Sequence, residues 1–333
     1  MAAFEFELEA NLFTLQIYVR KFIHDSYANR AGKGTHRALD RCTHYLRRYR
    51  YVLPLDVRQF FPSIDHALLL DVLRQTLADD RVLDLAARIL AGGAGVQAAE
   101  YDMVYFPGDD LFAIARPRGL PIGNLTSQFW ANVYLNGLDH FIKRRLHCPA
   151  YVRYVDDLRL FADDKRVGAV HEPPLLHAWR AEIIAYLSSL RLTVHERAAQ
   201  PRPTAMGVPF LGFQVWPDHR RLKRRNAVHA RRRLKSLVAA YHRRDIDRQH
   251  LDAGVKGWIN HARYGDTWGL RRAVLKSYAN QRYHHHLNRP LTIPALKVLA
   301  EGAPEPQALE RGDIDDPQPG WRPTTPASAH PWS

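Results

Sequence analysis

The chain has 333 residues, 46% hydrophobic and 11% aromatic, and its 48 Lys and Arg outnumber 34 Asp and Glu for a net charge of +14. It is too apolar for a disordered polymer, its two cysteines (Cys42 and Cys148) are too few for a disulfide framework, and no uninterrupted apolar stretch is long enough to span a bilayer. The positive excess makes a polyanion, nucleic acid, the first partner to test, and acidic residues in Met1–Phe13, where a leader would be basic, point to the cytoplasm without a membrane partner.

In chain order, Tyr51–Asp56 reads as a strand, and His66–Gln75 and Arg81–Leu90 as helices. Ser127–Leu146 reads as one long helix, because Trp130, Val133, Tyr134, Gly137, Leu138, Phe141 and Ile142 recur at i, i+3, i+4 spacing on one face. Tyr151–Tyr154 and Leu158–Ala162 read as strands, the second alternating Leu158, Leu160 and Ala162 with Arg159 and Phe161. Strands and helices that do not alternate strictly imply an α+β layer. From Pro217 to Arg289 the chain carries nineteen Lys and Arg against five Asp and Glu, a net +14 equal to that of the whole chain. This block reads as helices over Val228–Tyr241, Gly254–His261 and Trp268–Arg282, broken at Gly265-Asp266, and its interleaved aromatics suit a grip on nucleic acid. From Pro290 onward the chain holds nine of its 21 prolines and six acidic residues, so Gly302–Ser333 reads as a disordered tail.

Three stretches carry candidate chemistry. Tyr154-Val155-Asp156-Asp157 sits between two apolar runs, and adjacent carboxylates at a tight hairpin repel unless a hard divalent cation such as Mg²⁺ relieves them. Asp56 ends a buried strand beside Phe60 and Phe61, where desolvation is costly without a compensating cation or donor. If the three carboxylates meet, they can hold two Mg²⁺ for in-line phosphoryl transfer. Gly119–Gln128 is a glycine-marked loop opening the long helix, suited to close approach of phosphates and a base pair.

Taken in order, Asp56-Val-Arg-Gln-Phe-Phe61, the Gly119–Gln128 loop, Tyr154–Asp157 and Phe210-Leu-Gly-Phe213 resemble the palm motifs of reverse transcriptases over roughly Phe22–Arg282. Ile122-Gly123 and Ser127-Gln128, with His24–His36, resemble the variant found in diversity-generating retroelements, enzymes that copy a template-repeat RNA into cDNA with errors at adenines. Group II intron-like and retron-like enzymes, and a non-catalytic RNA-binding relic, are the rival readings. The resemblance implies a right-hand polymerase with reduced fingers (1–50), a catalytic palm (51–215), a basic helical thumb entered through a primer-grip hairpin (216–290) and a Pro-rich tail (291–333).

It also implies roles. Asp56, Asp156 and Asp157, with the Val57 carbonyl, stand as ligands of two Mg²⁺. Phe61 is either the aromatic that excludes a ribose 2′-OH or a core side chain. Ile122, Gly123 and Gln128 lie at the nascent base pair, and Arg30, Lys33 and Arg37 at the triphosphate. Tyr154, Phe210, Leu211, Gly212, Arg231, Arg232 and Lys235 meet primer and template. Implied partners are template RNA, primer or cDNA, deoxynucleoside triphosphates and a small basic helical accessory protein. His195 and Arg197 occupy the region where relatives often place a pyrophosphate-protonating Lys, and that role stays unassigned. There are two departures: a fingers segment that relatives carry between the counterparts of Phe4–Leu15 and Val19–Asp25 is missing, and Pro54 interrupts a strand expected at the sheet centre.

Overall fold

The computed structural model describes residues 18, 20–163 and 174–280, with side chains as far as Val274. The chain divides at Val274, and the architecture below is that of the first unit. The Gly302–Ser333 tail, Phe4–Leu15 and the end of the helix expected to reach Arg282 lie outside the described residues.

A four-stranded antiparallel sheet in the order β2-β3-β1-β4 organises this unit, from β1 (Tyr51–Asp56), β2 (Ala150–Tyr154), β3 (Asp157–Ala162) and β4 (Arg202–Pro203). Side chains alternate across it. Leu53, Leu55, Leu158 and Leu160 point to one face, into a core shared with α2 (His66–Arg74), α3 (Asp80–Gly93), α4 (Leu125–Tyr134), α5 (Asn136–His140) and α6 (Pro174–Ser189). Val52, Val152 and Phe161 point to the other, against α1 (Thr35–Arg48) and a second sheet of β5 (Val208–Phe210), β6 (Phe213–Val215) and β7 (Arg220–Leu222). Both faces of the strands are therefore covered, and each fully buried Leu, Val or Phe contributes about 1.5–3 kcal/mol relative to exposure. Three basic helices follow, α7 (Arg224–His242), α8 (Arg248–Ala262) and α9 (Trp268–Asn280).

The segment around Ser26 bridges in parallel to Arg153 of β2, α1 packs on the sheet, and the small sheet spans residues 208–222. The long helix expected over Ser127–Leu146 is broken: α4 ends at Tyr134, α5 restarts at Asn136, and Phe141–Arg145 forms a π-turn. Most of its apolar face is nonetheless buried, including Trp130, Val133, Tyr134, Leu138 and Ile142. Pro54 is accommodated because β4 pairs only with Tyr51 and Val52 and the 193–195 segment meets β1 only at Asp56, so no strand residue is paired with Pro54 on that side.

Candidate active site

β1 and β3 run in register from Tyr51 opposite Ala162 to Asp56 opposite Asp157, so two carboxylates end neighbouring strands on one face. Tyr154 pairs with Asp157, which leaves only Val155 and Asp156 in the β2–β3 turn. This corrects the expectation that Asp156 and Asp157 share a turn: Asp156 lies in it, whereas Asp157 is the first residue of a strand. The Val57 N–H donates to the Asp156 carbonyl (3.2 Å), tying the turn to the end of β1. On its other side the chain after β1 is held by 193–195, with the His195 N–H donating to the Asp56 carbonyl (3.0 Å) and that of Arg58 to the Thr193 carbonyl (2.8 Å).

Two buried arginines hold this hairpin from opposite faces. Arg153, fully buried, donates through Nε and Nη2 to both carboxylate oxygens of Asp139 (2.8 and 2.6 Å) and through Nη1 to Asn132 Oδ1 (3.0 Å) and the Val155 carbonyl (2.9 Å). Val155 has φ 57°, a left-handed conformation that costs a β-branched residue energy, and its carbonyl is held by a buried donor. On the other face Arg159 pairs with the Asp157 carboxylate. Neither arginine was singled out from sequence as a site residue. The available signal was a cationic side chain in a strand covered on both faces.

Burial, then the charges of Asp56 and Asp157, push the Asp156 carboxyl up to about 7, against its own backbone N–H and the Arg153 charge. Burial pushes Asp157 up to about 6, where Arg159 opposes the rise and Asp56 adds to it. Like charges are thus crowded at one end of the sheet, and a donor set of hard carboxylate oxygens in mutual repulsion suits a divalent cation. The three carboxylates are near enough to repel one another, and among the described residues no three acidic, His or Cys side chains close into a group able to hold an ion. Asp157 is paired with the Arg159 guanidinium that shares its face, and Asp56, expected to be desolvated at the strand end, is exposed instead, because the chain turns away beyond β1.

The Gly119–Gln128 loop reaches the same region. The Gly119 N–H donates to the Ile64 carbonyl (2.8 Å), that of Leu120 to the Phe61 carbonyl (2.9 Å), and His66 Nε2 meets the Gly119 carbonyl (2.8 Å). Phe61 and the loop, some sixty residues apart, are therefore adjacent. Phe61 is half-buried, packed against the core and edge-on to Phe60. Ile122 is 67% exposed, and Gly123, at φ 105°, has open space around it. Gln128 is half-buried in the first turn of α4.

The basic candidates differ among themselves. Arg30 Nη1 donates to the Ile23 and Ser26 carbonyls (2.5 and 2.8 Å) and the guanidinium lies over Phe22, so this group braces its own loop. Lys33 lies 4.9 Å over the Tyr27 ring, and Arg37 is exposed. The Tyr154 hydroxyl accepts from Thr35 Oγ1 (3.1 Å). At the other hairpin Phe210 pairs with Phe213, both fully buried, across Leu211 and Gly212. Gly212 needs its lack of a side chain: φ is 86°, and a Cβ would lie 2.5 Å from Asn226 Nδ2. Arg231, Arg232 and Lys235 are exposed on α7, whose single buried residue is Leu234. His195 and Arg197 are both exposed.

One unforeseen contact joins the site to the segment before α4. Arg58, two residues after Asp56, pairs with Asp102, while Gln59 Nε2 donates to the Glu100 carbonyl (2.6 Å) and its Oε1 accepts from the Asp102 N–H (3.1 Å).

The acidic strand ends thus stand on an antiparallel sheet roofed by helices on one face and by α1 and a second sheet on the other. Residues 8–215, well over half the chain, match the family described as reverse transcriptase (RNA-dependent DNA polymerase), and the chain belongs to that family. The matched stretch is an RNA-directed DNA polymerase domain of the nucleotidyltransferase class. A putative COX1/OXI3 intron 2 protein of Saccharomyces cerevisiae is 22% identical over 129 residues, 39% of this chain and 14% of that protein. The structure of telomerase from Candida albicans, in complex with a TWJ fragment of telomeric RNA, is similar with a TM-score of 0.42 and 11% identity, covering 83% of this chain and 49% of that one. The chain thus spans about a seventh and about half of the lengths of these two proteins. No helix among the described residues is long and apolar enough to cross a membrane.

Proposed function

We propose that the chain copies an RNA template into DNA. The reading is carried by the registration of Asp56 against Asp157 at the ends of neighbouring strands, with Asp156 in the turn beside them. Asp56, Asp156 and Asp157, with the Val57 carbonyl, would hold two Mg²⁺, Asp157 keeping its Oδ1 on Arg159. Bound there, divalent ions activate the primer 3′-OH and stabilise the leaving pyrophosphate. The chain's own residues do the rest. Phe61 and the Ile122-Gly123 loop border the incoming nucleotide, Lys33 and Arg37 face its phosphates with Arg30 bracing their loop, and Gln128 supports the loop from α4. Tyr154 and the Phe210–Phe213 hairpin with Leu211 and Gly212 border the primer, and Arg231, Arg232 and Lys235 neutralise backbone phosphates. Template RNA, primer or cDNA, deoxynucleoside triphosphates and a small basic helical accessory protein are the proposed partners, in the cytoplasm. In this arrangement the stretches 1–50, 51–215 and 216–290 serve as reduced fingers, palm and thumb. Extension of a primer on an RNA template with Mg²⁺, lost in Asp156→Ala, is the expected result; extension by Asp156→Ala at the wild-type rate would overturn the assignment.

The finer proposal is the diversity-generating retroelement type, supported by Ile122 and Gln128. An apolar Ile122 offers the nascent pair no hydrogen bond, and losing one such contact costs about 0.5–1.5 kcal/mol, roughly a few-fold to tenfold in discrimination. Errors concentrated at template adenines, and reduced in Ile122→Gln, are expected in sequenced cDNA. A group II intron-like enzyme is the second reading, favoured by the similarity to an intron-encoded yeast protein; an error spectrum even over the four template bases and unchanged in Ile122→Gln would favour it.

A further inference from the structure

Arg159 is 4% exposed, in the middle of the unit, and none of the roles above uses it. Its residue spacing puts it on the face of β3 that carries Asp157 and Phe161, beneath the small sheet. One Nη1 pairs with Asp157 Oδ1 and also donates to the Leu158 carbonyl (2.7 Å) and, at 3.4 Å, to that of Leu55 in β1. The other terminal nitrogen, Nη2, donates to the Pro209 carbonyl in β5, and the guanidinium stands 5.1 Å over the Phe210 ring. A single planar cation therefore touches the acidic end of β3, the adjoining end of β1 and the β5–β6 hairpin.

Stability alone is a poor account of this side chain. A buried charge carries a desolvation cost that an apolar residue of similar volume avoids, and Nε has no hydrogen-bond partner in the structure. A methionine or leucine would fill the same space below Phe210 without either cost. What they cannot do is fork: a guanidinium directs separate N–H groups at separate acceptors in a fixed plane, whereas a lysine places one point charge.

We infer that Arg159 is a positioning residue, a rigid strut that fixes the Asp157 carboxylate relative to the Val208–Val215 hairpin, so that the hairpin and the acidic strand ends move as one piece. The inference rests on the proposed polymerase reading, in which that hairpin borders the primer. Misplacing a primer terminus by a fraction of an ångström lowers the rate of nucleotide addition while leaving phosphate contacts along α7 intact. The effect therefore falls on the rate constant and not on nucleic-acid affinity.

The experiment pairs two readouts on the full chain, using Arg159→Lys, Arg159→Met and Asp157→Asn. Hydrogen–deuterium exchange of the hairpin comes first. Asp157 reaches the hairpin through Arg159, so Asp157→Asn and Arg159→Lys should each speed exchange in Val208–Val215 at least fivefold while α8 is unchanged. Single-turnover incorporation from a pre-bound primer–template then reads the function: Arg159→Lys should lose at least tenfold in rate with the dissociation constant for primer–template within twofold of wild type. A hairpin that exchanges as in wild type in both Asp157→Asn and Arg159→Lys, or a wild-type incorporation rate in Arg159→Lys, overturns the strut. Arg159→Met tests the bridge with the charge removed, and if it does not fold the other two variants decide the matter. Absence of incorporation by the wild-type chain would count against the polymerase reading, and the exchange measurement would still decide whether the strut exists.

Discussion

Arg153→Met strips the guanidinium that is hydrogen-bonded to both oxygens of the fully buried Asp139 and leaves that carboxylate with the Tyr151 hydroxyl (2.8 Å) as its remaining side-chain donor among the described residues. Removing one member of a buried pair costs about 3–5 kcal/mol, because the survivor keeps its desolvation penalty without its partner. At about 2–4 °C per kcal/mol for a unit of a few hundred residues, the melting temperature should fall by on the order of 10 °C. The double variant Asp139→Leu with Arg153→Met removes both charges and should recover at least about 2 kcal/mol over the single variant. Function should not return with it. Arg153 Nη1 also holds the Val155 carbonyl in a turn whose backbone strain is about 1–3 kcal/mol, and without that donor the turn presenting Asp156 relaxes. Thermal unfolding and primer extension on the three proteins test the reasoning together. Arg153→Met within about 1 kcal/mol of wild type would refute the energetic argument, and a double variant that extends primers normally would refute the claim that the arginine holds the turn.

The exposed basic face of α7 predicts a salt-sensitive complex: each single-strand phosphate neutralised contributes about 0.7 to the slope of log affinity against log salt, so changing Arg231, Arg232 and Lys235 to Ala should flatten it by about 2. An unchanged slope would place the contacts elsewhere. Burial alone would raise the Asp25 carboxyl, but the His24 hydrogen bond and the charges of Lys143 and Arg41 outweigh it and hold the group at about 2, below its ordinary 3.8. The sign follows: Asp25 contributes about 2 kcal/mol above pH 3.8 and loses it as the pH falls from 3.8 towards 2. Stability of wild type and Asp25→Asn should therefore converge across that window, and parallel curves would be inconsistent with the network. Phe61→Ala should raise ribonucleotide incorporation several-fold if the ring guards the sugar; loss of fold with no change in sugar selection would leave Phe61 a core residue.

The three strands of the main sheet were legible because short β-branched, aromatic and Leu-rich runs bounded by turn residues have few alternatives. Their registration was not, since nothing local in Tyr51–Asp56 specifies that it pairs Asp56 with Asp157 and not with a neighbour. The helix expected over Ser127–Leu146 kept its buried face but not its continuity, because a 3.6-residue period tolerates a break at Leu135 and a π-turn after His140 without moving the apolar side chains off the core. Helices α1 and α6 went unread. In α6 the buried residues Leu176, Trp179, Ile183 and Leu187 are joined by further apolar side chains around the helix, which blurs the amphipathic signal.

The three carboxylates were singled out from sequence and the arginines beside them were not, for a reason visible in the alternation of β2 and β3. A charged residue in a strand is ordinarily taken as facing water, yet Arg153 and Arg159 face opposite cores, one against α4 and α5 and the other beneath β5. A sheet that gathers three carboxylates at one end and covers both faces leaves Asp156 and Asp157 half-buried, with only Asp56 exposed, so part of the compensating charge comes from within the layers. Each arginine supplies it from one side. The compensation is incomplete, since burial, and then the charges of Asp56 and Asp157, still hold Asp156 at about 7, and a bound cation would relieve that repulsion.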